Sequence, residues 1–125
     1  MIKMRLHFFL LLLLCAFSSN NSKAQSDILI ENLRLEYMKD PLGIDIMNPR
    51  FSWELSSSGK NKKQKNYQIL VSTAISDLNE NKGSAWDSKK MADNNSNQIT
   101  YKGKPLKANT LYFWKVRIWD ERGRP

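Results

Sequence analysis

The chain has 125 residues, of which 41% are hydrophobic and 10% aromatic, and its 20 basic residues against 12 acidic ones give a net charge of +8. A chain of this length forms one domain at most. The apolar content is typical of a packed globular domain and argues against a disordered tail.

The first 24 residues have the three-part pattern of a secretory signal peptide. Two basic residues precede an apolar run over Leu6–Phe17, and two small residues, Ser22 and Ala24, stand just before the expected cleavage site. Because a membrane-spanning helix needs about 20 apolar residues, this run predicts export without a membrane span, to the periplasm or the cell exterior. A lipoprotein signal acylated at Cys15 is the alternative.

The predicted mature domain, residues 25–125, contains neither Cys nor His and carries a net charge of +5, since the leader holds three basic residues and no acidic ones. These absences exclude a Ser–His or Cys–His nucleophile pair from the domain, and also a zinc site built from His or Cys. Carboxylates, Lys and Tyr are left for acid–base chemistry, and we expect no cofactor and no metal. A secreted domain without disulfides depends on its hydrophobic core, which fits a bacterial exported protein.

Apolar residues alternate with polar ones along most of this domain, which predicts β-strands rather than helices. The predicted strands span residues 28–37, 50–56, 66–73, 85–91, 98–101 and 111–120, with an irregularity near Glu31-Asn32 in the first. Turn-forming residues separate them, and a short helical turn is expected near Ser76-Asp77-Leu78, because Ser and Asp are good N-caps. Closely spaced strands without long intervening helices predict an all-β sandwich.

The segment from Leu106 through Thr110 to Tyr112 resembles the tyrosine corner of fibronectin type III and immunoglobulin-like sandwiches. There the Tyr opens strand F, and its hydroxyl group bonds back to the preceding loop. Such a fold has seven strands, and strand G would have to follow residue 125. We therefore expect the last strand to be missing or incomplete, which leaves strand F as an edge with Phe113 and Trp119 on its outer face. The predicted inner face comprises Trp53, Tyr67, Ile69, Val71, Tyr112, Trp114, Val116 and Ile118.

Six segments together resemble the N-terminal domain of bacterial α-L-rhamnosidases. They are Leu33-Arg34-Leu35-Glu36-Tyr37, Pro41-Leu42-Gly43-Ile44-Asp45, Pro49-Arg50-Phe51-Ser52-Trp53-Glu54-Leu55, Tyr67-Gln68-Ile69-Leu70-Val71, Ala85-Trp86-Asp87-Ser88 and Trp114-Lys115-Val116-Arg117-Ile118-Trp119-Asp120. The second and third segments are the specific ones, because the strand patterns alone would match many sandwich domains. Lys89 departs from the family, which often has Gly after Trp-Asp-Ser, and this departure concerns a local turn.

The resemblance implies that residues 25–125 are the non-catalytic accessory domain of an exported glycoside hydrolase, truncated at its C-terminus. In that family an (α/α)₆ barrel hydrolyses terminal α-L-rhamnosides with inversion, which requires two carboxylates ~6.5–9.5 Å apart. Both carboxylates belong to the barrel, so no catalytic residue is assigned to this chain. The expected partners are the remaining domains of the parent glycosidase.

A free-standing module that binds rhamnose-containing glycans, or a surface adhesion module, is the alternative function. Trp86 and Trp119 are each followed by an Asp and could stack on a sugar ring, whereas packing in or against the sandwich is the structural interpretation of both. The acidic pair Asp120-Glu121 is interpreted as the start of a turn after strand F, because neighbours on a strand point to opposite faces.

Two further groups of residues are predicted to be structural. A basic cluster between the second and third strands is interpreted as a solvated loop, not a nucleic-acid or polysaccharide site, because no aromatic residues interleave with it. It comprises Lys60, Lys62, Lys63 and Lys65. The acidic residues near Pro41-Leu42-Gly43 are too few and too widely spaced for calcium, and Gly43 is predicted to adopt a positive φ in that turn.

Overall fold

The computed structural model describes residues 25–125, so the predicted signal peptide over residues 1–24, with Cys15, lies outside the described residues. Within them, the chain forms strands in the predicted order and one short helix. The elements are β1 (Ile28–Leu35), β2 (Arg50–Ser57), β3 (Gln64–Ser72), α1 (Ile75–Asn79), β4 (Trp86–Asp87), β5 (Ile99–Thr100) and β6 (Phe113–Asp120). No helix in this part of the chain is long and apolar enough to cross a membrane.

The strands form two antiparallel three-stranded sheets, with the orders β1-β2-β5 and β4-β3-β6. The central strand β3 pairs with β6 along its whole length, from Gln64 opposite Asp120 at one end to Ser72 opposite Phe113 at the other. The prediction of an all-β, immunoglobulin-like sandwich is confirmed. Within residues 25–125, β6 is an edge strand of its sheet, as expected.

Left-handed backbone conformations make the first strand shorter than predicted. Strand β1 ends at Leu35 because Glu36 and Tyr37 have φ angles of 48° and 67°, which extended structure does not allow. The predicted irregularity in this strand is a bulge at Asn32, where φ is 48° and the pairing register with β2 shifts.

The fourth and fifth strands are also shorter than predicted, for the same reason. Lys89 has a φ of 61° and interrupts the predicted strand over residues 85–91, which rejoins the sheet only at Met91, hydrogen-bonded to the backbone of Tyr67. Gln98, with a φ of 57°, delays the start of β5. Side-chain periodicity carries no signal for a positive φ at a residue other than Gly, so alternation alone did not show these breaks. The signal for Lys89 came from the resemblance, since the family often has Gly at that position.

The core fills the space between the two sheets. All eight residues predicted for the inner face belong to the core cluster or pack directly against it, and Ile69 at the centre of β3 is completely buried. The prediction omitted Phe51 and Tyr101, whose side chains are each 2% exposed. Tyr101 belongs to the predicted strand over residues 98–101 and follows Ile99 by two positions, so alternation placed both on one face, but the predicted inner face did not include this short strand.

The short helix covers part of the outer face of the second sheet. Leu70 alternates with the inward residues of β3 yet is 1% exposed, because α1 packs against this strand and buries Leu78. The predicted helical turn is confirmed, but its predicted capping is wrong. The N-cap is Ala74, without a side-chain cap, and Asp77 instead accepts a hydrogen bond of 2.6 Å from the Ser72 hydroxyl.

The turn that follows β1 does not use a glycine with positive φ. Asp40 adopts the left-handed conformation, with a φ of 48°, and Gly43 does not. The prediction for Gly43 is therefore wrong. An aspartate tolerates this conformation better than most residues because its short polar side chain can hydrogen-bond locally.

Candidate functional site

Trp86, the first candidate sugar contact, is packed against the core. Its ring meets Tyr101 edge-on with the centroids 5.2 Å apart, and its centroid lies 5.9 Å from that of Phe51. The residue also lines an open cleft of about 290 Å³, which runs between the β4 edge of one sheet and the β5 edge of the other. We call this space the edge cleft. Trp86 therefore combines a structural contact with partial access to solvent.

The edge cleft contains two polar groups of different character. The Asp87 carboxylate already has hydrogen-bond partners. It accepts hydrogen bonds of 2.8 Å from the Gln68 amide, from the Lys89 backbone N–H and from the Lys89 ammonium group. Burial acts to raise the pKa of Asp87, but these hydrogen bonds outweigh it and hold the pKa below its ordinary value. The side-chain amide of Gln98 is shielded from water, and neither its nitrogen nor its oxygen has a partner among the described residues.

Trp119, the second candidate, lies on the opposite side of the same sheet. It follows the inward-facing Ile118 on β6 and therefore projects from the outer face. The ammonium group of Lys90 lies 4.4 Å from the centroid of its ring, and the guanidinium group of Arg117 lies 5.8 Å away. Both cations make cation–π contacts with the Trp119 ring, and a sugar stacking on that ring would have to compete with them. The structure does not bring Trp86 and Trp119 together.

The acidic pair at the end of β6 is part of a turn, as predicted. Asp120 is completely buried, and its carboxylate accepts hydrogen bonds from the backbone N–H groups of Arg122 and Arg124 and from the Arg124 guanidinium group, at 2.8–2.9 Å. Burial acts to raise the pKa of Asp120, but the hydrogen bonds together outweigh it and lower the pKa. Both carboxylate oxygens are enclosed, so Asp120 is not available to a sugar.

Neighbouring ion pairs link the segment before β1 to the turn after β6. Lys62 contacts the carboxylates of Asp27 and Glu121 at 3.2 and 3.5 Å, and Arg124 contacts Asp27 at 3.5 Å. The side chain of Lys62 is only 13% exposed, so the prediction of a solvated loop is wrong for this residue. The other three lysines of the cluster are exposed, as predicted.

An ion pair explains two of the segments that carry the family resemblance. The Arg50 guanidinium group binds both oxygens of the Glu36 carboxylate, at 3.1 and 2.7 Å, and the Arg50 backbone N–H donates to the same carboxylate at 2.6 Å. Arg50 also lies 5.6 Å from the centre of the Tyr37 ring. These hydrogen bonds from Arg50 lower the pKa of Glu36. The residues therefore fix the end of β1 against the start of β2.

The predicted tyrosine corner is present just before β6. The hydroxyl oxygen of Tyr112 accepts a hydrogen bond of 3.0 Å from the backbone N–H of Lys107. It thereby fastens the loop that precedes β6 to the end of the sandwich. The contact confirms the role that was predicted for this tyrosine.

A second concavity, larger than the edge cleft, lies at that same end of the sandwich. A groove of about 550 Å³ separates the segments 41–45 and 106–112, and its floor is formed by Phe51, Val71, Tyr101 and Trp114. We call it the end groove. Sequence reasoning did not find it, because its two rims are 60 residues apart in the chain.

No group of three His, Cys, Asp or Glu side chains within residues 25–125 is close enough to hold a metal ion. The carboxylates of Glu36, Asp87 and Asp120 instead bind basic side chains and backbone N–H groups of the same domain. Among the concave surfaces of residues 25–125 are the edge cleft and the end groove.

Residues 30–125 match the family described as the Rha78A-like, N-terminal immunoglobulin domain. An α-L-rhamnosidase of Formosa agariphila is 33% identical over 119 residues, which are 95% of this chain and 12% of the relative. An α-L-rhamnosidase of Streptomyces avermitilis is 39% identical over 71% of this chain and 8% of the relative. The chain thus spans about a tenth of the length of these relatives.

Solved structures agree with the sequence comparison. The α-L-rhamnosidase from Dictyoglumus thermophilum has a TM-score of 0.76 and 40% identity, covering 81% of this chain and 11% of that one. The Streptomyces avermitilis α-L-rhamnosidase complexed with L-rhamnose has a TM-score of 0.72 and 36% identity, and the match covers 77% of this chain and 9% of that one. These similarities concern the sandwich alone.

Proposed function

Because the chain belongs to the family of Rha78A-like N-terminal immunoglobulin domains, and corresponds to the non-catalytic accessory domain of α-L-rhamnosidases, we propose that it supports the catalytic region of an exported enzyme of that class. The parent enzyme would hydrolyse terminal α-L-rhamnosides with inversion. The observation that carries this proposal is the limited match, which covers 71–95% of this chain but only 8–12% of each relative.

The surroundings of Asp120 and Glu36 favour an accessory role for this domain over a hydrolytic one. An inverting glycosidase needs one protonated and one ionised carboxyl group, free on opposite sides of the sugar. Asp120 is enclosed by its own turn, and Glu36 is held by Arg50. The pKa of each is lowered, which is the opposite of what a general acid requires.

Export is part of the proposal, and it rests on the signal-peptide pattern of residues 1–24. The test is to express the full chain in a bacterial host and to sequence the N-terminus of the secreted or periplasmic product. An N-terminus at Gln25 supports export by cleavage. A fatty acid on Cys15 would replace this reading with the lipoprotein alternative.

The hydrolytic part of the proposal is tested with a nitrophenyl α-L-rhamnoside. We expect the 125-residue chain to release no nitrophenol above the rate in buffer. Release that is abolished by Asp120→Asn or Glu36→Gln, in variants with an unchanged circular-dichroism spectrum, would contradict the assignment of catalysis to another region.

A glycan-binding module is the second candidate, and the edge cleft favours it. If the enclosed side chain of Gln98 turned into the cleft that this residue lines, its unpartnered amide would gain hydrogen bonds from a sugar hydroxyl beside the accessible part of Trp86. A rhamnose-containing oligosaccharide should then quench tryptophan fluorescence. Gln98→Leu should abolish the quenching, and Trp119→Ala, on the opposite face, should preserve it. Quenching that depends only on Trp119 would place the sugar elsewhere.

A further inference from the structure

The end groove is lined mostly by apolar side chains. Of the side chains that line it, only Asp45 and Lys107 are charged. Leu42 on one rim is fully exposed and Leu111 on the other is 71% exposed. Large exposed apolar patches are rare on soluble monomers, and those that occur mark interaction surfaces.

Exposed apolar residues are also concentrated at this end of the molecule. Six of the nine large hydrophobic side chains with high exposure in residues 25–125 belong to the β1–β2 connection or to the rim before β6. They are Tyr37, Met38, Leu42, Ile46, Met47 and Leu111. The surface therefore extends beyond the groove, over the connection that bears the family-specific segment.

The direction of the chain brings any following polypeptide back to this end. Strand β6 runs away from the end groove, and a three-residue hairpin turn then reverses it. In that turn the Asp120 N–H donates to the Arg124 carbonyl and the Gly123 N–H donates to the Asp120 carbonyl, with Gly123 at a φ of 75°. A strand continuing from it along the edge of β6 would be antiparallel, and about eight residues at ~3.4 Å each would return it to the groove.

The matched relatives supply the occupant. The matched region is an N-terminal domain, and it makes up 8–12% of the two rhamnosidase sequences compared above. In those enzymes a much larger polypeptide therefore follows the sandwich. A β-strand that returned along β6 would deliver that polypeptide beside the end groove.

We propose that the end groove is the docking surface for the domain that follows the sandwich in an α-L-rhamnosidase polypeptide, with an apolar side chain of that domain inserted between Leu42 and Leu111. This inference rests on the proposed function. Docking there would bury the exposed leucines and hold the accessory domain in a fixed orientation relative to the catalytic region.

The first test uses the crystal structures of the two bacterial relatives. Residues 25–125 are superposed on the matching domain of the Dictyoglumus thermophilum and Streptomyces avermitilis enzymes. We expect apolar atoms from the remaining part of each chain to contact the positions equivalent to Leu42 and Leu111. Solvent at these positions in both enzymes would overturn the docking proposal, whatever the function of the present chain.

The second test measures docking by residues of this chain. Residues 25–125 replace the matching domain of the Dictyoglumus thermophilum enzyme, and hydrogen–deuterium exchange is compared between this hybrid and the free 125-residue chain. We expect exchange over segments 41–45 and 106–112 to be at least about tenfold slower in the hybrid, because docking shields them. Equal exchange in an active hybrid would overturn the proposal.

Substitutions give the matched control. Leu42→Asp with Leu111→Asp should return exchange in the hybrid to the rate in the free chain, whereas Leu29→Asp with Ile75→Asp should not. The control residues are also exposed leucine and isoleucine side chains, at 61% and 60%, and neither of them lines the groove. Equal protection in the two double variants would contradict the assignment of the surface.

Two outcomes separate this inference from the proposed function. A hybrid that folds but does not cleave a nitrophenyl rhamnoside counts against the proposed function, and the superposition still decides the docking surface. Dimerisation of the free chain in light scattering, abolished by Leu42→Asp with Leu111→Asp, would assign the groove to a second copy of the chain and overturn the docking proposal.

Discussion

Replacing Asp120 by Ala should destabilise the sandwich through a single, well-defined turn. The substitution leaves two backbone N–H groups, those of Arg122 and Arg124, without their acceptor, and it removes the partner of the Arg124 guanidinium group. Glu121, the adjacent acid, is the matched control. Its carboxylate is 36% exposed, and its contacts with Lys62 and the Lys63 N–H are longer, at 3.5 and 3.3 Å.

The expected cost of Asp120→Ala is about 3 kcal/mol in the free energy of unfolding. Breaking a buried ion pair by removing one partner costs about 3–5 kcal/mol. The low end applies because the Arg124 side chain is 22% exposed and water can solvate it after the change. A domain of this kind has about 5–15 kcal/mol of stability in total, so the variant loses a large fraction of it. Glu121→Ala should have a much smaller effect.

Urea denaturation followed by circular dichroism measures both variants, with the slope of the transition confirming that the same surface unfolds in each. The pH dependence provides a second readout. The pKa of Asp120 in the folded state lies below its ordinary value of 3.8, so its contribution is fully present above that value and is lost as the pH falls through the lowered pKa. The difference in the free energy of unfolding between the wild-type chain and the Asp120→Asn variant should therefore become smaller at acidic pH. A cost for Asp120→Ala no greater than that for Glu121→Ala would refute this reasoning.

Three further predictions concern packing and backbone geometry. Ile69→Ala should lower the free energy of unfolding by about 2–5 kcal/mol and Val116→Ala by less, because Ile69 is completely buried and Val116 only half-buried. In urea denaturation, both variants should lose more stability than Lys89→Ala. Gly83→Ala should lower the melting temperature, because the new Cβ would lie 2.0 Å from the Trp86 carbonyl oxygen, whereas Gly43→Ala, with no atom within 4 Å, should leave it unchanged; equal shifts would contradict the packing argument. Lys89→Gly should stabilise the domain by about 0.5–1 kcal/mol by relieving a φ of 61°, and Lys89→Ala, which keeps the strained Cβ, should give no such gain.

The position of each strand could be read from the sequence because a sheet with one buried face imposes an alternation of period two. Ile69 and Val71 on β3 and Val116 and Ile118 on β6 face the interior as the alternation predicts. Tyr112 was also predictable, since its place before a strand identifies the corner where its hydroxyl group can bond to the loop. These are local patterns, and each is complete within about ten residues.

The strand ends and the polar contacts could not be read in this way. Lys89 and Gln98 break their strands by adopting a positive φ that nothing in their residue type demands. The Arg50–Glu36 pair and the enclosure of Asp120 depend on which side chain reaches which partner after the turns have formed. Such contacts depend on the three-dimensional arrangement of side chains, which the pattern of residue types along the chain does not specify.

The sequence by itself determined the all-β class, the order of the strands and the composition of most of the core, because these follow from residue types at short, regular spacings. The family resemblance rested on particular segments such as Pro41-Leu42-Gly43-Ile44-Asp45. Tertiary structure alone decided that Trp86 packs inward, that a lysine covers the outward-facing ring of Trp119, and that segments 41–45 and 106–112 enclose an apolar groove. The physical reason is that a site made of distant segments exists only after two sheets have packed, when the packing fixes which surfaces remain open.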